Sequence, residues 1–281
     1  MTTDVAPAIR AETNVTAERN YRRRRRNDRS LRIALGAGLP ILLLLAWQVS
    51  SSADILDKRF FPAPSVIVAR AIEDAASGTL LGDLGKQVVA TLIRIAIGIA
   101  VGVTSGILLG TLMGSVRVIR YALAPLVYAL YPMPKLAILP LLLIAFGIGN
   151  VSKIALVSLG VFFVVGLSAF SGTLYTPQIY EDVSHAFAFP RIMRYFRVVL
   201  PAALPSIMSG VKLGIGQALI LVVSVEFVNS NDGIGYFIWQ SWQTLDIPRM
   251  FIGLLCVAIG GACAVFLGDI CERLLVPWAK H

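Results

Sequence analysis

Apolar runs of about 20 residues, the length needed to cross a hydrocarbon layer, alternate along this chain with short polar stretches that hold most of its charge. Six such runs stand out, near Ile33–Ser50, Leu92–Met113, Tyr121–Phe146, Ile154–Leu174, Ser206–Val228 and Phe251–Leu275. They predict an all-α membrane protein with about six transmembrane helices. A shorter amphipathic pattern after Phe61-Pro62-Ala63-Pro64-Ser65, with apolar Val66, Ile67, Ala69 and Ile72, predicts a Ser65-capped surface helix ended by Ser77-Gly78. The resulting partition is a tail over 1–32, a first membrane anchor over 33–50, a loop with the short helix over 51–87, a core over 88–276 that includes a polar loop over 176–205, and a terminal tail over 277–281.

Two of the apolar runs carry internal patterns. Gly98, Gly102, Gly106, Gly110 and Gly114 recur every fourth residue and fall on one helical stripe, where another backbone can approach closely; Gly210 and Gly214 repeat the device. The third run is interrupted by Pro132-Met133-Pro134-Lys135 and again by Pro140. Such breaks withdraw helical hydrogen bonds and are tolerated in a bilayer only against protein or a wet cavity. Pro132, Pro134 and Pro140 are therefore candidate pathway or gate residues.

Charge sets the expected orientation. Nine of the 25 Lys and Arg precede residue 33, including Arg22–Arg26, so the tail is expected in the cytoplasm, next to anionic headgroups rather than nucleic acid. Segment 51–87 then faces out, Arg117 and Arg120 mark an inner turn, 176–205 lies inside, 229–249 outside, and the C-terminus inside. A bacterial plasma-membrane protein with both termini cytoplasmic is expected. Cys256, Cys263 and Cys271 share roughly one face of the last run and form no metal motif.

Within the spans, Glu226 and the following Asn229 are candidate pathway residues, because an ionisable group at membrane depth is costly without partners or water. The alternative for Glu226 is an ion pair with Arg94 or Lys153. Arg94 and Lys212 are expected to snorkel to opposite surfaces, and Gln217 and Ser224 to hydrogen-bond between helices. There is no HExxH, no GxSxG and no phosphate-cradling GxxxxGK[ST], so neither a catalytic site nor a nucleotide site is expected on the chain itself.

The loop Tyr180-Glu181-Asp182-Val183-Ser184-His185-Ala186-Phe187-Ala188-Phe189-Pro190-Arg191, followed by Leu200-Pro201 and Leu204-Pro205, resembles the EAA motif of binding-protein-dependent ABC permeases. In this match Asp182, Val183 and Ser184 stand on Glu-Ala-Ala and Ala188 on the glycine. These are departures in acid length, β-branching and turn chemistry; Glu181 supplies the acid if the register shifts by one. The resemblance extends over about residues 60–275, through the 61–65, 132–140, Phe146-Gly147-Ile148-Gly149 and Asp232-Gly233-Ile234-Gly235-Tyr236 segments. It is nearest to permeases for nitrate, sulfonates and taurine.

The resemblance implies a type I ABC importer permease fold with a cytoplasmic coupling helix, formed by Glu181, Asp182, Val183, Ser184, His185, Phe187, Ala188, Phe189 and Arg191. It implies separate ATPase subunits that hold ATP and Mg, an extracytoplasmic solute-binding protein, and a second permease copy in a homodimer. No cofactor is expected on this chain. A secondary transporter or a non-transporting assembly subunit is the alternative.

Overall fold

A computed structural model describes residues 36, 38–78, 80–177, 179, 187 and 189–278, and every regular element among them is helical. The chain divides into two compact units, Met1–Ala69 and Arg70–His281. In the first, helix α1 (Gly38–Ser52) is followed by a turn and the start of α2 (Pro64–Ala76). Ser65 does not serve as the expected N-cap. It lies inside the first turn, where its amide donates to Gln48 Oε1 at 3.0 Å and its hydroxyl accepts from Gln48 Nε2 at 3.0 Å.

The second unit contains α3 (Gly85–Ser115), α4 (Arg117–Leu130), α5 (Leu139–Phe146), α6 (Asn150–Leu174), α7 (Leu200–Val228), α8 (Ile234–Gln243) and α9 (Ile247–Leu275). Four helices are long and apolar enough to cross a bilayer: Gly82–Ser115, Asn150–Leu174, Ile192–Val228 and Ile247–Leu275. The expected third span is instead two helices, α4 and the Lys135–Phe146 segment, bent by 99°. The described residues thus hold four spans, or five with the bent pair, against the six expected. The expected first anchor is represented by α1, a shorter apolar helix, and the start of that run lies outside the described residues.

The bend has a local cause. Pro132 and Pro134 bring no amide hydrogens, and Pro134 takes an extended backbone (φ −65°, ψ 108°) before a 3-10 turn over Lys135–Ile138. Pro140 does not add a second break as expected. It occupies the first turn of α5, where a missing amide costs nothing. α7 begins before its expected start and carries Pro201 directly after a wide turn. A helical turn at Arg191–Arg194 and a wider turn at Tyr195–Val199, closed by Leu200 N–H to Tyr195 O, lead into α7 and make Ile192–Val228 one continuous helix. The 176–205 segment is therefore helical over its second half. Segment 229–249, expected as a loop, contains α8.

The packing centre is the glycine stripe. Gly98, Gly102, Gly106, Gly110 and Gly114 are all buried on α3 and face α6. A Cβ at Gly102 would stand 2.7 Å from Ser158 O, and one at Gly110 would stand 2.2 Å from Gly166 O. α7 closes on an adjoining face of α6 in the same manner: a Cβ at Gly210 would meet Ser168 Cβ at 2.4 Å. Around these contacts Ile95, Val157, Val161, Val165, Ala218, Leu221 and Val222 form the principal apolar core. α4 joins it through Met113, Val127, Phe163 and Phe170.

Overpacking a filled interface costs about 1–3 kcal/mol. Gly110→Val is therefore expected to lower the unfolding midpoint in detergent well below the wild type, whereas Gly216→Ala, which meets nothing within 4 Å, leaves it unchanged. Equal midpoints for the two variants would show that the stripe is not the close contact described.

Candidate functional site

Charge inside this bundle is concentrated at the end where α3 and α6 begin and α7 finishes. Arg94, one turn above Thr91 on α3, is only 1% exposed, and Glu226, near the C-terminus of α7, is fully buried. The Arg94 Nη1 donates to Glu226 Oε1 at 2.6 Å and to Asp232 O at 3.1 Å. Its Nε and Nη2 donate to Asn150 Oδ1 at 2.9 and 2.7 Å, and Nη2 also pairs with the Asp232 carboxylate. One guanidinium thereby ties α3, α6, α7 and the α7–α8 turn together.

The Glu226 carboxylate is satisfied as completely. Thr91 Oγ1 lies 2.9 and 3.0 Å from its two oxygens, and Gly235 N–H donates to Oε2 at 2.9 Å. Thr91 Oγ1 in turn accepts from Ile234 N–H at 2.8 Å, and Gln87 Oε1 accepts from Gly233 N–H. The Asp232-Gly233-Ile234-Gly235 segment wraps the carboxylate. Gly233 has φ +105°, and a Cβ there would stand 2.3 Å from Glu226 Oε1; a Cβ at Gly235 would stand 2.6 Å from Val223 O. Both positions need glycine, the first for its backbone and its space.

A second cation, Lys153 on α6, donates to Ser230 Oγ at 2.7 Å and lies 3.8 Å from Asp232. Two cations and two carboxylates thus cancel. Burial acts to raise the Asp232 carboxyl, but the Arg94 hydrogen bond and charge, Ser230 and Lys153 outweigh it and hold the group below the ordinary carboxylate value.

The alternative stated for Glu226 is the one realised: its partner is Arg94. Arg94 does not snorkel, because its side chain is consumed by these acceptors. Thr91, Asn150, Gln87 and the two glycines were not singled out as members; the only signal for them was the presence of opposite charges in different spans. Asn229 caps α7, and its amide nitrogen is buried without a hydrogen-bond partner among the described residues. Lys212, expected to snorkel, pairs with Glu272 at 2.6 Å and Asp269 at 3.2 Å on α9. Ser224 bonds Ile220 O of its own helix rather than a neighbouring one.

At the opposite end of the bundle, Tyr195 Oη donates to Thr111 Oγ1 at 2.7 Å and ties the turn below α7 to the end of α3. Nearby, Phe187 is 71% exposed and stacks on Phe189 with ring centroids 6.0 Å apart. Of the expected coupling residues, Glu181, Asp182, Val183, Ser184, His185 and Ala188 lie outside the described residues, as does the side chain of Arg191. Pro132 and Pro134 lie exposed at the α4–α5 break, which Lys135 closes by donating to Tyr131 O.

A bundle of apolar helices held by glycine contacts around an internally neutralised charge cluster defines a polytopic membrane protein. Among solved structures it is similar to a chain of the MetNI methionine ABC transporter in an inward-facing conformation, with a TM-score of 0.64 and 18% identity over 70% of this chain and 98% of the other. The fold is that of a type I ABC importer permease.

The family model for the binding-protein-dependent transport system inner membrane component matches residues 102–280, and the chain belongs to that family. It is 32% identical to the putative aliphatic sulfonates transport permease protein SsuC of Bacillus subtilis (strain 168), over 86% of this chain and 87% of the relative. It is 29% identical to the taurine transport system permease protein TauC of Escherichia coli (strain K12), over 89% and 91%. It is also 29% identical to the nitrate import permease protein NrtB of Synechocystis, over 84% and 86%. The chain is an inner-membrane permease component of an ABC importer, a system whose ATPase is a separate subunit.

Removing one member of a buried ion pair strands its partner and costs about 3–5 kcal/mol. Arg94→Met and Glu226→Met are each expected to be destabilised on that scale in detergent unfolding, and the double variant to be no less stable than either single. A double variant destabilised by the sum of the two would show that the groups act independently. Asp232, held below its ordinary value of 3.8, contributes stability that is present above that value and lost as pH falls through the depressed folded-state value. The gap between wild type and Asp232→Asn is accordingly widest near neutral pH and closes in acid.

Proposed function

We propose that the chain forms the solute path of an importer for small oxyanions of the sulfonate, taurine and nitrate kind, and that the segment around Glu181–Arg191 is its contact with the ATPase. The observation that carries this reading is the continuous helix Ile192–Val228, which begins at that segment and ends in the Arg94 network. At a rise of 1.5 Å per residue it is roughly 55 Å long, well beyond the ~30 Å hydrocarbon layer. A push at its lower end is therefore carried along one helix to the far side of the membrane.

In this reading the 176–190 segment faces the cytoplasm, in keeping with the Arg-rich tail and with Arg117 and Arg120 on the same side, and both termini are cytoplasmic. ATP and Mg bind the partner ATPases, whose closure displaces the docked segment. The ligand-loaded binding protein engages the opposite face, and a second copy of this chain completes the path. The two states differ in the contacts of the coupling segment, the requirement for any ligand-driven conformational shift. Phe187 and Phe189 are the apolar anchors: an exposed Phe187 stacked on a half-buried Phe189 suits a groove on a soluble partner. Asp182 and Glu181 provide the acid, and His185 and Arg191 the polar contacts.

Phe187→Asp is expected to insert in the membrane normally while abolishing solute-stimulated ATP hydrolysis of the reconstituted importer. Stimulation at the wild-type level would remove Phe187 from the interface.

A further inference from the structure

We infer that Lys135 is a solute-contacting cation of the translocation path, a specificity-determining residue for the oxyanion. The inference rests on the import function proposed above.

Three cations of the long helices are neutralised by carboxylates: Arg94 by Glu226 and Asp232, Lys153 by Asp232, and Lys212 by Asp269 and Glu272. Arg120, near the Arg117 end of α4, donates to the carbonyls of Met113 and Gly114. Lys135 stands at the break instead. Among the described residues it pairs with no carboxylate, although it follows the 14-residue α4, which places it roughly 20 Å from the Arg117 end at the helical rise. Its ammonium is held by Tyr131 O and lies 5.0 Å from the Tyr131 ring centroid and 5.3 Å from that of Phe163 on α6. Ring faces and a carbonyl orient a cation without cancelling its charge.

The ammonium also sits on the broken backbone. Tyr131, Pro132, Met133 and Pro134 are all exposed in the single protomer. Lipid does not tolerate an exposed break, so this surface faces the second copy or water. An uncancelled cation there, half-buried and half-open, offers one charge-assisted hydrogen bond to an anion passing the break. Sulfonate and nitrate oxygens are acceptors of that chemistry. A single monovalent contact of this kind lets the anion leave as readily as it arrives, which transport requires.

The test uses the whole importer, with its ATPase and binding protein, in proteoliposomes offered taurine, ethanesulfonate or nitrate. For the anion that the wild type imports, Lys135→Gln is expected to lower uptake about tenfold, the scale of one charge-assisted bond, while basal and binding-protein-stimulated ATP hydrolysis stay within about twofold. Lys135→Arg is expected to recover uptake to within about threefold of the wild type. Unchanged uptake by Lys135→Gln overturns the inference and leaves the import function standing. Uptake and ATP hydrolysis falling together, with Lys135→Arg no better, assigns Lys135 a purely structural cap and also overturns it. A loss that vanishes in vesicles without anionic lipid identifies a headgroup as the ligand, with the same consequence. A wild type that imports none of the three anions overturns both this inference and the proposed substrate class.

Discussion

A guanidinium can lie inside a membrane protein only when its donors find acceptors and its charge finds a counter-charge, and the upper half of this bundle is arranged around that requirement. Arg94 draws acceptors from α6, α7 and the α7–α8 turn, so the cost of burying it is met only when all of these are in place. Moving any one of them strands a charge. The network consequently acts as a rigid joint, and α3, α6 and the end of α7 are bound to move as one body. The glycine stripe has the same effect lower down, where backbone contacts leave no slack for α3 and α6 to slide.

Rigidity at these places sharpens the role of the parts that are not so held. The α4–α5 segment departs from straightness at two prolines and bends by 99°, while its cation is restrained by rings and a carbonyl rather than by a carboxylate. Stability asks for neutral, saturated clusters; solute passage asks for a polar group that still has a valence to offer. In the proposed role of Lys135 the bundle separates the two demands onto different helices.

The apolar runs were legible in the sequence because span length and hydropathy follow directly from the bilayer. The glycine stripe was legible because a period of four defines a helix face without knowledge of the partner. What escaped were features decided by three-dimensional closure. Nothing local distinguishes a proline that bends a span, as Pro132 and Pro134 do, from one that starts a helix, as Pro140 does; the difference lies in whether the preceding turn already needed that amide. Arg94 was read as a surface anchor because its position near a span end permits snorkelling, and only the meeting of three helices supplies the competing acceptors. The Asp232–Gly235 segment resembled a family landmark before its physical purpose was visible. Gly233 and Gly235 are small because a buried carboxylate lies against them.

The long helix connects the two ends of the bundle. In the proposed coupling Ile192–Val228 acts as a lever whose far end is attached to the load. Its core packing on α6 is continuous, and its last turn carries Glu226 into the joint that binds α3 and α6. At the lower end Tyr195 links the lead-in turn to Thr111 of α3, so a force applied below α7 reaches α3 at both of its ends. In the proposed coupling, a displacement below Ile192 is passed to α3 and α6 through the Tyr195–Thr111 and Glu226–Arg94 contacts.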